Sequence, residues 1–272
     1  MNKLKASILN GYVARIEHYT GEEFKVHSAA EYRKFIALEQ ELKSDSVVID
    51  AGAYVGSFSI ACSKIIKDGT IHSFEPCMET YNNLVKNVTE LSQIRCYHVA
   101  LSNYTGTGLL CSSWAEDYPQ GRFIVQKDLD MFSSKDNVYV TTIDRFVEFY
   151  KIGKVDLIKI DVEGQDLQVL QGADETLNNP DIVVLLEIHP GNDKRFAEER
   201  EGEMGVIYAN KFKDNKAEIM DFLINKGFII YDLDTNYDRV YKDSLIKTTG
   251  IVEVMALRKQ IKPRKNQGKN NE

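Results

Sequence analysis

Short runs of β-branched and other apolar residues recur along this chain, and nearly every one is followed by a stretch whose apolar positions have helical spacing. No other feature limits the fold so strongly. The runs are "SVVID" (46–50), "TIHSFEP" (70–76), "IRCYHVALS" (94–102), "KVDLIKID" (154–161), "DIVVLLEIH" (181–189), "GFIIYDL" (227–233) and "GIVEVMALR" (250–258). Helical spacing is read over 56–66, 78–91, 143–150, 166–177 and 217–226. Strands alternating with helices of that length build parallel sheets, because a crossover helix returns the chain to the same sheet edge. Two further runs, "TGTGLLCSS" (105–113) and "NVYVTTID" (137–144), read as extra strands flanking a polar loop. The expected class is α/β: a doubly wound, mostly parallel, seven-stranded sheet whose final strand runs antiparallel.

At 272 residues with 43% apolar and 28% charged composition, one domain with embellishments is expected. Residues 46–257 form that domain and 1–45 a capping segment. The connections near 111–137 and 190–216 are long enough to act as lids or binding walls, and both are expected to border an acceptor. No apolar run reaches the length of a membrane span, and the start lacks a secretory stretch. A cytoplasmic protein without a membrane span is expected. Cys62, Cys77, Cys96 and Cys111 lie fifteen to nineteen residues apart with no CxxC pair, which suits buried thiols better than a zinc site. The net charge of −7 hides a basic end: 258–272 carries six basic residues and one acid, leaving 28 basic against 40 acidic residues before it. The end reads as a disordered basic tail, and the acidic body argues against a nucleic-acid groove.

In a doubly wound sheet ligands sit at the carboxyl ends of the strands, where strand order reverses. The first strand ends there in "VVIDAGAYVGSFS" (47–59). A dinucleotide fingerprint starting at Gly52 would need glycine at 54 and glycine or alanine at 57, and these are Tyr54 and Ser57. A phosphate-binding P-loop fails because no GKS or GKT follows. What remains is an acid, Asp50, a permissive Gly52 and a helix starting close by at Gly56. Glu75 ends the second strand twenty-five residues after Asp50, where a carboxylate can accept both hydroxyls of a ribose. These features suit S-adenosylmethionine, which carries a ribose, an ammonium group and a sulfonium.

"DAGAYVGSFS", "FEP", "VALS" and "DLIKIDVEGQDLQVLQGA" together resemble the FkbM-type methyltransferases, a Rossmann-like branch that modifies mainly hydroxyls of sugars and natural products. The resemblance spans about Val47 to His189, and the KIDVEG block followed by VLxGA is its most specific part. It implies that Asp50 and the turn from Gly52 through Tyr54, Val55, Gly56 and Ser57 face the methionine end. Glu75, followed by Pro76, would bind the ribose, and Ala100, Leu101 and Ser102 would line the adenine. The family usually has asparagine at the position of Tyr54 and commonly glutamate at that of Asp166.

Strand alternation puts Lys159 and Asp161 on one face of "VDLIKID", and Glu187 and His189 on one face of "VVLLEIH". If the two strands are parallel neighbours, Lys159 faces Glu187 and Asp161 lies near His189. Methyl transfer to a hydroxyl needs the acceptor oxygen held in line and relieved of its proton. Asp161 is expected to position acceptor or cofactor and His189 to take the proton, with Glu163 the next candidate base. Lys159 and Glu187 read equally as a mutually neutralising buried pair. A divalent metal on Asp161, Glu187 and His189 is an open but not favoured alternative. Trp114, more than Tyr12, Tyr19 or Tyr118, is a candidate for stacking on a sugar. The reading is therefore an S-adenosylmethionine-dependent O-methyltransferase acting on a small-molecule or glycan acceptor. Amine or carboxylate methylation and an inactive cofactor-binding scaffold are the alternatives.

Overall fold

Residues Val47–Ala51 form the central strand, β1, and the main sheet is arranged about it. The computed structural model describes residues 38–112, 122–125, 135–188, 215–233, 238–245 and 252–260. After β1 come helix α1 (Ser57–Ser63), strand β2 (Thr70–Phe74), helix α2 (Met78–Val88) and strand β3 (Ile94–Tyr97). The chain then builds β4 (Ala100–Leu101), β5 (Gly106–Ser112), β6 (Arg122–Val125) and β7 (Lys135–Thr141) before helix α3 (Ile143–Phe149). Next are β8 (Leu157–Ile160), helix α4 (Asp166–Gln171), a 3₁₀ turn (Thr176–Asn178) and β9 (Val183–Ile188). Helix α5 (Lys216–Asn225), β10 (Ile229–Asp232), β11 (Asp238–Arg239), α6 (Lys242–Leu245) and β12 (Val252–Leu257) complete the described elements.

The main sheet has the order β11-β10-β12-β9-β8-β1-β2-β3. From β9 to β3 all neighbours are parallel, and β12 is antiparallel to both β9 and β10. The seven expected strands are present, and two-residue β11 adds an eighth at the edge. The antiparallel final strand is inserted between β9 and β10 rather than placed outermost. Because the chain fills β2 and β3 on one side of β1, then β8 and β9 on the other, the reversal lies at the carboxyl ends of β1 and β8.

Both faces are covered, so the central strands read as unbroken apolar runs. Val48, Ile71, Leu157, Leu185 and Met255 pack with Ile60 of α1 and Leu84 of α2. On the other face Ile49, Ile158, Val184 and Leu186 meet Phe146 of α3, Val169 and Leu170 of α4, and Leu223 of α5. Phe74 and Tyr97 stack with centroids 4.9 Å apart, and Phe146 meets each edge-on. Such pairs add to simple area burial.

The extra strands read from 105–113 and 137–144 form a second sheet of order β4-β7-β5-β6, with β5 antiparallel to β6 and β7. Its small core is Cys77, Ala100, Leu110, Val138 and Val140. The glycine of "VLQGA" has a steric reason to be there: a Cβ on Gly172 would lie 2.0 Å from the Ser102 carbonyl oxygen. That contact docks the end of α4 on the turn after β4. Tyr12, Tyr19, Trp114, Tyr118 and His189 lie outside the described residues, as do most of the two long insertions. Among the described residues no helix is long and apolar enough to cross a membrane.

Arg258, expected to open a disordered tail, is instead anchored. Its guanidinium donates to the carbonyls of Lys226, Asn179 and Leu177 at 2.7–2.8 Å and lies 4.1 Å over the Phe228 ring. A planar fork can reach three carbonyls at once while its face stacks on an aromatic, so the ordered body runs past 257. Arg258→Ala should lower stability by about 2 kcal/mol, the worth of charge-assisted hydrogen bonds at a partly exposed site. Arg258→Lys, lacking the fork, should recover less than half of that in urea unfolding.

Candidate functional site at the carboxyl ends of β1, β2 and β8

Strand pairing places one polar row across the sheet: Asp50 of β1 lies between Ser73 of β2 and Lys159 of β8. Directly paired residues share a face, so all three side chains meet. Asp50 is fully buried, and its Oδ2 accepts the Ser59 hydroxyl at 2.6 Å. The Ser59 hydroxyl in turn lies 2.7 Å from that of Ser73. The Lys159 ammonium is 3.5 Å from Asp50 Oδ1 and 3.1 Å from Asp161 Oδ2, and donates to the Gly52 carbonyl at 2.8 Å. Burial alone pulls the Lys159 ammonium down. The charges of Asp161, Asp50 and Glu187, with the hydrogen bond to Asp161, outweigh it and hold the group above the ordinary lysine value. Lys159 is therefore a permanent cation beneath the turn after β1.

This geometry alters two expectations. Asp50 does not stand in the turn facing a ligand but behind it, because every atom of it is buried and its oxygens face Ser59 and Lys159. Lys159 does not face Glu187 directly. The β8–β9 register sets Leu185 opposite Lys159, and Glu187 lies two residues further on. Glu187 is paired across the sheet with Glu253 of β12 and acts on Lys159 at longer range. The direct partners, Asp50 and Asp161, lie on the strand beside Lys159 and two residues beyond it.

The turn itself is tightly built. Gly52 has φ 74°, and a Cβ there would fall 1.9 Å from the Asp161 carbonyl oxygen, so the two strand ends touch through backbone. Tyr54 takes a left-handed φ of 51°, which costs a non-glycine residue about 1–3 kcal/mol. Its N–H donates to Glu75 Oε2 at 3.0 Å, and Cys77 N–H donates to Glu75 Oε1 at 2.9 Å. The Val55 carbonyl is held by Asn87 Nδ2 at 2.8 Å, and Gly56, also left-handed, precedes Ser57 at the start of α1. The Pro76 carbonyl accepts from His98 Nε2 at 2.8 Å.

Glu75 is thus nearly buried at the tip of β2 and oriented by two N–H groups. A carboxylate offers about four lone-pair sites, and these two bonds occupy one on each oxygen and fix its orientation. Ala100, Leu101 and Ser102 are buried on the neighbouring small sheet, and the Ser102 N–H donates to the Thr141 carbonyl. Asp161 follows β8 with its side chain about a third exposed. Glu163, half-buried at φ 55°, makes the next turn with Gly164, and Asp166 is buried at the start of α4 with its Oδ1 accepting the Val162 N–H at 3.4 Å. Among the described residues no three His, Cys, Asp or Glu side chains are grouped to hold a metal ion. Ser59 and Ser73 were missed by sequence reasoning. Their only sequence signal is a hydroxyl in each of the elements that flank β1.

The site lies at the reversal point of a doubly wound sheet, between an anchored acid on the second strand and a lysine-held turn on the first. That is where open α/β sheets bind their ligands. The profile of the methyltransferase FkbM domain matches residues 50–230, and the chain belongs to that family. It is 27% identical over 191 residues to hexuronic acid methyltransferase AglP of Haloferax volcanii, covering 69% of this chain and 75% of that protein. It is also 27% identical over 164 residues to methyltransferase sdnD of Sordaria araneosa, covering 49% of this chain and 62% of that one, slightly under two thirds of its length. Among solved structures, an FkbM methyltransferase from Methylobacillus flagellatus KT aligns over 93% of this chain and 60% of that one, with 12% identity and a TM-score of 0.45.

Removing the Lys159 ammonium would strand a carboxylate that has no access to water. Lys159→Ala should cost about 3–5 kcal/mol in chemical denaturation, as for a broken buried pair. Neutralising Asp50 as well, in Asp50→Asn/Lys159→Ala, should give a smaller loss than Lys159→Ala alone. A larger loss in the double variant would show that the two charges are not coupled.

Proposed function

We propose that the protein transfers a methyl group from S-adenosylmethionine to a hydroxyl of a sugar, glycan or sugar-bearing metabolite. The observation that carries the donor assignment is Glu75. Its carboxylate is held by the Tyr54 and Cys77 N–H groups at the tip of β2, beside the reversal point, where a ribose diol can be accepted. The donor set fits the group: an anchored carboxylate for the diol, a turn whose backbone approaches closely at Gly52, and the buried Ala100 and Leu101 for an apolar base edge. When bound, S-adenosylmethionine supplies an electrophilic methyl carbon on a sulfonium. A sugar acceptor is supported by the name of the Haloferax volcanii relative, a hexuronic acid methyltransferase; such an acid offers both hydroxyls and a carboxylate to the methyl group.

In this reading Lys159 holds the Gly52 carbonyl and the Asp161 carboxylate, which fixes the turn before any ligand arrives. Asp161, partly exposed at the tip of β8, orients the acceptor or the amino-acid end of the donor. His189 directly follows Ile188 of β9, a strand parallel to β8, and is the residue proposed to remove the hydroxyl proton. Its ordinary pKa is suited to that role near neutrality. Glu163 is the alternative base.

Glu75→Ala should weaken S-adenosylmethionine binding by roughly 1.5–3 kcal/mol, about 10- to 150-fold, in calorimetry. An unchanged affinity in a folded variant would remove the ribose assignment. For the base, His189→Ala should cut turnover on a hexuronic acid or related sugar acceptor by about a hundredfold while leaving donor affinity nearly unchanged. Full turnover in that variant would transfer the role to Glu163. Donor binding without turnover on hydroxyl, amine or carboxylate acceptors would mark an inactive scaffold.

A further inference from the structure

The same strands have a second end. At the amino ends of β1, β2 and β8, opposite the tips just described, a cleft of about 470 Å³ opens to solvent. Four residues of β1, about 13 Å of strand, separate it from the Gly52 turn. Its volume falls within the usual range for small-molecule sites.

Four cations line it: Lys43, Arg95, Lys151 and Lys154. Two acids also line it, Asp45 and Asp156, but Asp156 is already committed. Its Oδ2 accepts the Val47 N–H at 2.8 Å, and its Oδ1 pairs with Lys154 at 2.7 Å. Asp45 adds its charge to the same lysine. Among the described residues no carboxylate lies within ion-pair distance of Lys43, Arg95 or Lys151. In a chain with 41 acidic and 34 basic residues, four cations against two acids around one concavity make a local charge balance opposite in sign to that of the whole molecule.

The remaining walls suit an organic group. Tyr150 is half exposed and is braced by Phe146, with ring centroids 4.7 Å apart, and by Tyr97 at 5.9 Å. On the floor His72 is nearly buried, its Nδ1 within 3.0 Å of the Tyr97 hydroxyl. Burial, and then the nearby Arg95, lower His72 to about 4, so it adds no charge at neutral pH. The anion-binding charge is therefore carried by the guanidinium and the two ammonium groups. A guanidinium fork with flanking point charges matches phosphate oxygens better than a single carboxylate.

We propose that this cleft binds a phosphorylated small molecule, its phosphates on Arg95, Lys43 and Lys151 and its organic part against Tyr150. The site is independent of the methyl-transfer reading. Inorganic pyrophosphate and uridine 5′-diphosphate are the probes, titrated calorimetrically into the full chain with and without saturating S-adenosylhomocysteine. Pyrophosphate should bind with one-to-one saturation, unaffected by S-adenosylhomocysteine. Its affinity should fall at least tenfold in Arg95→Gln/Lys151→Gln, whose side chains are exposed and whose loss should leave thermal unfolding unchanged. The nucleoside diphosphate should bind more tightly than pyrophosphate and lose that margin in Tyr150→Ala. Absence of saturable binding, wild-type affinity in the double variant, or displacement by S-adenosylhomocysteine would overturn the proposal. A nucleoside diphosphate that binds no more tightly than pyrophosphate would overturn the role of Tyr150.

Discussion

The buried ammonium of Lys159 is the interaction on which the site depends. A lone cation or a lone carboxylate inside this sheet would each cost several kcal/mol, and only their mutual approach makes the burial tolerable. Asp50 comes from β1, Lys159 from β8 and the supporting hydroxyls from α1 and β2, so one electrostatic requirement ties four elements together. It also locks register. Slipping β8 by one residue would swing Lys159 to the opposite face, among the apolar Ile49 of β1 and Val184 and Leu186 of β9. The row therefore specifies the pairing of β1 with β8 more sharply than the apolar residues around it, which are largely interchangeable Ile, Val and Leu.

From that row the turn inherits its shape. Lys159 holds the Gly52 carbonyl from below, and Glu75 holds the Tyr54 N–H from the side. At and just beyond these two fixed points the backbone takes left-handed conformations, at Gly52, Tyr54 and Gly56. Asparagine, which the family usually carries at the Tyr54 position, enters that region more readily than tyrosine. Tyr54 is kept there by its bond to a buried carboxylate. Backbone strain supported in this way occurs typically where a loop must be preformed for a ligand.

The sheet also separates two kinds of electrostatics. At its carboxyl ends the charges of Asp161, Asp50 and Glu187 act on one lysine, and Glu75 is anchored at the tip of β2. At its amino ends Lys43, Arg95 and Lys151 line a cleft with Lys154, Asp45 and Asp156, and among the described residues no carboxylate lies within ion-pair distance of the first three. Parallel strands make this polarity possible, because all like ends lie on one side.

Much was legible in the sequence itself. Period and composition showed the strands and helices, since a β-branched run between turn residues has few other uses. The place of the turn after β1 and of Glu75 after β2 followed, because both sit at strand ends in any parallel sheet. The steric need for Gly172 was contained in "VLQGA", though its partner, the Ser102 carbonyl, was not. Partners across strands were decided only by tertiary structure. Alternation put Lys159 and Glu187 on one face, but the offset between β8 and β9 is set by packing along their whole length, and it placed Leu185 opposite Lys159. In the same way Asp50 looked like an acid at the mouth of a turn and proved to be its buried support, and Arg258 looked like a tail residue until three carbonyls from two distant loops converged on it. Sequence determines which local conformations are cheap. Contacts between residues a hundred positions apart depend on register and burial, which no local pattern encodes.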